Sequence, residues 1–313
     1  MVGCVRSKMS EVISASGNLQ QYAMAEQLSL RNVLLATDLS ECSARAIDYA
    51  TGIARRYAAQ LHMFHCVDPT PFNLAEDPEA VQTTCDDARR ELEQMAASLR
   101  SRYRSENLDV KVVVRAGGIA AILPKIAEEL DPGLIVVGTH GRTGWRKAAL
   151  GSVAEVVIER APCPVLSIGP STNRTRIQQF GPTNIVLAFT SSNRSARAAS
   201  YAVSLARKYG SKLTVVNVFE DRAGRVLAQV SQFEWCEAAQ PGASRVALQL
   251  PSEIGTKSDL ILRVAERTTA DLIVLVVPEN HRFTDRFVSS NSYRVVSAAA
   301  CPVLTVRAEP ERD

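Results

Sequence analysis

Two rhythms of apolar and polar residues succeed one another along this chain. Val33 to Ala36 is a short apolar run, and after Thr37-Asp38-Leu39-Ser40 the residues Ala46, Ile47, Ala50, Ala54 and Tyr57 recur at helical spacing, which predicts a strand followed by a helix. Leu61 to Val67 reads as a second strand that ends at Asp68-Pro69. The helix after it carries Ala88, Leu92, Met95 and Leu99 on one face, and Val110 to Val114 is a third strand. Ile122, Ile126 and Leu130 mark a short helix. Leu134 to Val137 is apolar enough to be buried on both faces, as strands of parallel sheets are. A helix from Ser152 to about Arg160 and a strand from Val165 to Ile168 complete five strands alternating with four helices. That order predicts an α/β fold with an open parallel sheet and helices on both faces.

The same order recurs behind a connector rich in Ser, Thr, Asn, Gln, Gly and Pro that ends at Pro182. Ile185 to Phe189 opens the second copy with a strand, followed by a helix through Tyr201, Leu205 and Ala206 and a strand from Leu213 to Val218. A variable segment, a strand from Arg245 to Leu250 and a helix through Leu260, Ile261 and Val264 come next. Leu134-Ile135-Val136 and Leu272-Ile273-Val274 stand 138 positions apart, and so do Cys163-Pro164-Val165-Leu166 and Cys301-Pro302-Val303-Leu304. An equal offset at both places means an internal duplication without net insertion between them. The expected organisation is an extension at 1–30, a first domain at 31–169, a connector at 170–182, a second domain at 183–308 and a tail at 309–313. Residues 1–30 and the stretch Asp221 to Gly242, with Phe233 and Trp235, carry no clear pattern.

Composition narrows the setting. With 46% hydrophobic and 22% charged residues, 313 residues supply two packed cores. A net charge of +3, with acidic and basic residues interleaved, predicts neither a nucleic-acid footprint nor a membrane-surface patch. The apolar runs, such as Leu272 to Val277, are far short of the roughly 20 residues needed to span a bilayer. The first thirty residues show no secretory pattern and Gly3 is not placed for myristoylation, so a cytoplasmic location is expected. Seven scattered cysteines argue against a zinc site or a disulfide framework and for reduced thiols.

Chemistry is concentrated after the strand that ends at Val137. The run from Gly138 to Ser152 contains Gly138-Thr139-His140-Gly141, then Arg142, Gly144, Arg146 and Lys147, and closes on Leu150-Gly151-Ser152. Glycines let a chain turn sharply and bring amide N–H groups close to an anion. Gly151 and Ser152 stand where the next helix starts, so its unpaired N–H groups and positive dipole end face the same crevice. A polyphosphate fits such a place, and a doubly wound sheet sets Asp38 and Cys66-Val67 beside the nucleoside. Plainer readings exist. Ser152 and Glu155 have capping-box spacing, Asp38 suits a turn or helix start, and His62 and His65 suit structural roles. Nothing near His140 completes a nucleophilic triad, and Arg142, Arg146 and Lys147 suit either a solvated face or anion attraction.

The spacing Gly, two residues, Gly, nine residues, Gly-Ser resembles the ATP-binding signature of the universal stress protein family. So do, in order, Val33-Leu34-Leu35-Ala36-Thr37-Asp38, His65, Gly138-Thr139-His140-Gly141, Leu150-Gly151-Ser152-Val153-Ala154-Glu155 and Ala161-Pro162-Cys163-Pro164-Val165. The resemblance covers Arg31 to Pro170, with a weaker copy to Arg307. It implies two tandem five-stranded domains paired through their last strands. It implies ATP as ligand, with Ala36, Thr37 and Asp38 flanking the nucleoside and Cys66 at the adenine-facing backbone position. Val137, Gly138, His140 and Gly141 would follow the ribose and phosphates, Gly151, Ser152 and Val153 would close on the phosphate tail, and a magnesium ion would be held by phosphates and water.

The second copy departs from this signature. Val276 stands opposite Gly138, Pro278 opposite His140, Glu279 opposite Gly141, Ser289 opposite Gly151, Ser290 opposite Ser152, and Thr190 replaces Asp38. One competent site, in the first domain, is therefore expected. The leading expectation is an ATP-binding stress-response or regulatory protein that signals to an unidentified protein partner. The rival is a slow ATP-hydrolysing or adenylyl-transferring enzyme, for which no Walker-type loop or Ser-Gly-Gly loop is present. A scaffold without ligand and a homodimer of chains stay open.

Overall fold

The computed structural model describes residues 30–40, 43–70, 77–106, 108–139, 150–172, 181–189, 196–220, 226–234, 256–277 and 290–308. They fall into two compact units, one built on 30–172 with 296–302, the other on the described parts of 181–295 with 303–308. The extension at 1–29, the strand expected at Arg245 to Leu250 and Trp235 lie outside the described residues.

The first unit runs β1 (Asn32–Ala36), α1 (Ala44–Tyr57), β2 (Gln60–Val67), α2 (Pro78–Arg102), β3 (Val110–Ala116), α3 (Ile119–Leu130), β4 (Leu134–Gly138), α4 (Ser152–Arg160) and β5 (Val165–Ile168). Its strands lie in the order β3-β2-β1-β4-β5, every neighbouring pair parallel. Consecutive residues of a strand point to opposite faces. Leu34 and Leu35 in β1 and Ile135 and Val136 in β4 are all fully buried, so helices cover the sheet on both sides. Burial of each such side chain stabilises the fold by roughly 1.5–3 kcal/mol, which makes the two central strands its anchor.

The helices form for identifiable reasons. In α1 the buried residues Ala46, Tyr49, Ala50, Ile53 and Ala54 follow helical spacing, and Arg55 and Arg56 complement the dipole in the last turn. α2 starts on Asp77, whose carboxylate accepts from the N–H groups of Glu79 and Ala80 at 3.1 Å, with Pro78 in the first turn. α3 contains Pro124, which has no N–H to give to the carbonyl of Ala120. Arg160 of α4 donates to that carbonyl at 3.2 Å instead, so the defect in one helix ties it to the next.

The second unit runs β6 (Asn184–Phe189), α5 (Ala196–Tyr209), β7 (Lys212–Glu220), β8 (Val226–Glu234), α6 (Lys257–Arg267), β9 (Leu272–Val277), α7 (Asn291–Ala298) and β10 (Val303–Arg307), with strand order β10-β9-β6-β7-β8. Four of these strands are parallel, as expected, but β8 pairs with β7 antiparallel. Only residues 221–225 join the two strands, and a parallel return needs a crossover of a dozen residues or more. The fully parallel second sheet expected from the repeat is corrected accordingly. Phe233, in the stretch without clear pattern, is a buried residue of this edge strand.

His62 sits inside β2, opposite Leu34 in β1 and Lys111 in β3. The amide of Asn32 donates to the carbonyl of Leu130 at 2.7 Å, which leaves its oxygen facing His62 Nε2 at 3.4 Å. The proton is therefore assigned to Nε2, and among the described residues Nδ1 has no partner. Burial holds the imidazole pKa below its ordinary 6.5, against Asp109, which raises it, and with Lys111, which lowers it further. Because the folded pKa is depressed, the unfolded chain binds more protons at His62 below about pH 6.5, and this residue's contribution to stability falls as pH drops from there toward the folded value. Denaturant titrations at pH 7.5 and 5.5 should show a steeper loss for the native chain than for His62→Leu.

At the end of β3 two adjacent glycines have opposite constraints. Gly117 has φ +136°, and a Cβ there would stand 3.0 Å from Ile122 Cγ1. Gly118 caps α3 in extended conformation, has no side chain to bond the helix, and would place a Cβ in open space. Gly117→Ala should lower the unfolding free energy by about 1–3 kcal/mol. Gly118→Ser should raise it by a few tenths of a kcal/mol by capping α3, and thermal melts of the two variants check both signs.

Candidate functional site

β1 is paired on one side with β2 and on the other with β4; the chain builds outward through β2 and β3 and then crosses back past β1 to β4. Such a reversal of strand order leaves a crevice beyond the carboxyl ends of the two central strands. Ala36, the last residue of β1, lies in register with Val137 of β4. The structure thus brings Ala36, Thr37 and Asp38 to one wall of the crevice and Val137 and Gly138 to the other.

The turn after β1 is held by its own side chains. Thr37 Oγ1 accepts from Leu39 N–H at 3.1 Å. Asp38 Oδ1 accepts from Ser40 N–H at 3.1 Å, from Ser40 Oγ at 2.6 Å, and from Ser43 Oγ. Leu39 has φ +61°, a left-handed conformation that costs a non-glycine residue roughly 1–2 kcal/mol. The bonds on either side of it over-determine that conformation. Asp38 therefore is a turn residue, and as such its carboxylate is immobilised at the end of β1.

Cys66 lies near the end of β2, and its thiol donates to the carbonyl of Gly117 at 2.9 Å. Burial, with Asp68 and Cys85 contributing, pushes the thiol up to about 11, so it stays protonated at neutral pH. His65 beside it shares a 2.8 Å hydrogen bond through Nδ1 with the carbonyl of Thr37, and Thr37 N–H donates to Phe64 O at 2.9 Å. These bonds fix the end of β1 against the end of β2, which gives His65 the structural part that its position suggested.

Across the crevice, Thr139 is fully buried and organises the exit from β4. Its N–H donates to Ile168 O at 2.9 Å, and its carbonyl accepts from Gly151 N–H at 2.8 Å. That last bond pins the start of α4 to the end of β4. Gly151 is the N-cap, extended at φ −67° and ψ 142°, with no side-chain cap. Ser152 is the first helical residue and exposed, and Val153 follows it. The capping box read from Ser152 and Glu155 is overturned: the helix takes Ser152 into its first turn, one residue too late for its hydroxyl to cap. The N–H groups of Ser152, Val153 and Ala154 have no acceptor within the helix. His140, Gly141, Arg142, Arg146 and Lys147 lie outside the described residues.

The second unit resolves the same end of its fold differently. Thr256, 138 positions after Gly118, accepts from Asp259 N–H, while Asp259 Oδ2 accepts from Thr256 N–H at 2.8 Å and Thr256 Oγ1 at 2.7 Å. These bonds hold the Asp259 carboxyl below its usual range. Ser290, the counterpart of Ser152, accepts from Tyr293 N–H through its hydroxyl at 3.1 Å and so caps α7. Asn291 Oδ1 accepts from Ser258 N–H at 3.3 Å. Helix starts that have no side-chain cap among the described residues of the first unit are thus closed by side chains in the second. Thr190, Pro278, Glu279 and Ser289 lie outside the described residues.

Sequence reasoning passed over Ser43 and Thr139, although Asp38-x-Ser40-x-x-Ser43 was a visible spacing. Thr139 left no signal, because its part depends on where β5 and α4 come to lie. Among the described residues no helix is long and apolar enough to cross a membrane, and no group of three or more His, Cys, Asp or Glu could hold a metal ion.

The chain was compared with known proteins. A universal stress protein of Methanocaldococcus jannaschii is 31% identical over 145 residues, 44% of this chain and 81% of that protein. Universal stress protein E of Escherichia coli is 34% identical over 122 residues, which is 38% of either chain. A solved universal stress protein from Archaeoglobus fulgidus, 18% identical, superposes with a TM-score of 0.66 over 90% of this chain and 97% of that one, a likeness of fold. The pattern of the universal stress protein family matches residues 29–168 and again 182–307. Two copies of that pattern together span most of its length, and the chain belongs to the universal stress protein family.

Proposed function

We propose that the first unit binds ATP and that the second does not, so that the chain carries one nucleotide site. One observation carries this reading: α4 starts on an uncapped glycine, pinned by the bond from Gly151 N–H to Thr139 O, at the reversal of strand order opposite Ala36–Asp38. Amides without intrahelical acceptors, together with the positive dipole end, favour a polyphosphate there. Asp38, Thr37 and the main chain at Cys66 border the space for the nucleoside. Gly138, His140 and Gly141 are assigned to the ribose and phosphates, and Gly151, Ser152 and Val153 to the phosphate tail. A magnesium ion would be carried by the phosphates and water, as this ion dehydrates reluctantly.

The capped helix starts of the second unit support its exclusion. Ser290 and Thr256 hydroxyls occupy helix amides that an anion would need. The stress-response role and a cytoplasmic setting rest on family membership, and signalling to a protein partner is part of the same proposal.

The test separates the backbone amide of Ser152 from its hydroxyl. Proline suits the first position of a helix, and Gly151 already has the extended conformation that a residue before proline adopts. Calorimetry of the full chain with magnesium-ATP should give one site. Ser152→Ala should change the affinity less than about 3-fold, whereas Ser152→Pro, which removes one N–H donor to a charged group, should weaken it at least about 10-fold. Ser290→Ala should leave it unchanged. A stoichiometry of two, or no loss in Ser152→Pro, would overturn the reading.

A further inference from the structure

Ser43 occupies the cap position of α1, where a serine hydroxyl ordinarily bonds the first helix amides. Here its backbone is already helical, at φ −73° and ψ −16°, and its hydroxyl makes no capping bond. The side chain is buried, 3% exposed, and its Oγ donates back to Asp38 Oδ1. Ser40 supplies two more donors to the same oxygen, N–H at 3.1 Å and Oγ at 2.6 Å, and the two serine oxygens lie 3.1 Å apart.

We propose that Ser43, with Ser40, is a positioning residue for the nucleotide site, holding the Asp38 carboxylate in its binding orientation. The inference rests on the reading of the first unit as the nucleotide site with Asp38 at the nucleoside. The terminal torsion of an aspartate is broad, so a carboxylate at the end of a strand samples many orientations. Three donors converging on one of its two oxygens remove that freedom before any ligand arrives. A ligand that bonds a preset carboxylate loses less entropy in doing so. The helical backbone of Ser43 keeps its hydroxyl away from the first amides of α1. The hydroxyl is instead spent on a residue of the crevice wall.

A double-mutant cycle on the full chain, read by calorimetry with magnesium-ATP, distinguishes this role from a merely structural one. Asp38→Ala should weaken ATP, and Ser43→Ala should weaken it about 5-fold or more. In the Asp38→Ala background, Ser43→Ala should change the affinity less than about 2-fold, because its effect travels through the carboxylate. Circular dichroism checks that each variant is folded, and Ser40→Ala runs through the same cycle if Ser43→Ala is not. Equal losses in both backgrounds, or no loss from either serine, overturn the positioning role while leaving the site intact. A native chain that takes up no ATP overturns the site itself, and the role of Ser43 with it.

Discussion

A parallel strand that stops leaves its last main-chain groups in search of partners, and β1 stops between two neighbours that the chain reaches in opposite directions. Everything of consequence in the first unit is arranged around that ending. Thr37 N–H goes to Phe64 O, its carbonyl to His65, and its hydroxyl to Leu39 N–H. On the far side Thr139 spends its N–H on β5 and its carbonyl on Gly151. These bonds satisfy the strand ends and leave the first amides of α4 pointing into the gap. A buried polar group without a partner costs roughly 1–3 kcal/mol, so what stays open there lies where water or an anion can reach it.

The two units show one fold settling the same problem in two ways. In the first, α3 and α4 begin on Gly118 and Gly151 and neither has a side-chain cap. In the second, Thr256 and Asp259 form a capping box, Ser290 caps α7, and Arg294 stands 3.8 Å from Asp259. Over a glycine in the same place, a capping side chain contributes only a few tenths of a kcal/mol. The second unit has taken that stabilisation and the first has not, which is the direction expected where helix starts are kept for a ligand. The left-handed Leu39 belongs to the same pattern, local stability given up along one wall of the crevice.

Acid–base behaviour in the first unit follows burial more than neighbouring charge. His62 is kept neutral within the sheet although Asp109 favours its charged form. Cys66, hydrogen-bonded to Gly117 O and raised to about 11, is a protonated thiol beside the proposed nucleoside space. Its placement matters through the main chain of β2, and its sulfur is poorly suited to act as a nucleophile at neutral pH.

Periodicity alone determined most of the architecture. The helix from Ser152 to Arg160 and the strand from Val165 to Ile168 were legible to the residue, and the equal offset of 138 announced the duplication, because side-chain periods of 2 and 3.6 are local properties of the chain. The glycine spacing likewise drew attention to Gly151, whose N–H bonds Thr139 O. What tertiary structure decided were the choices between partners. Ser152 and Ser290 occupy equivalent positions, yet one lies inside its helix while the other caps its own. Ser43 stands at the start of α1, and its hydroxyl bonds Asp38 rather than a helix amide. The antiparallel return of β8 depended on a short connection and an open sheet edge. A hydroxyl can satisfy any amide or carboxylate within about 3 Å, and which of them stands there is set by elements far away in the chain.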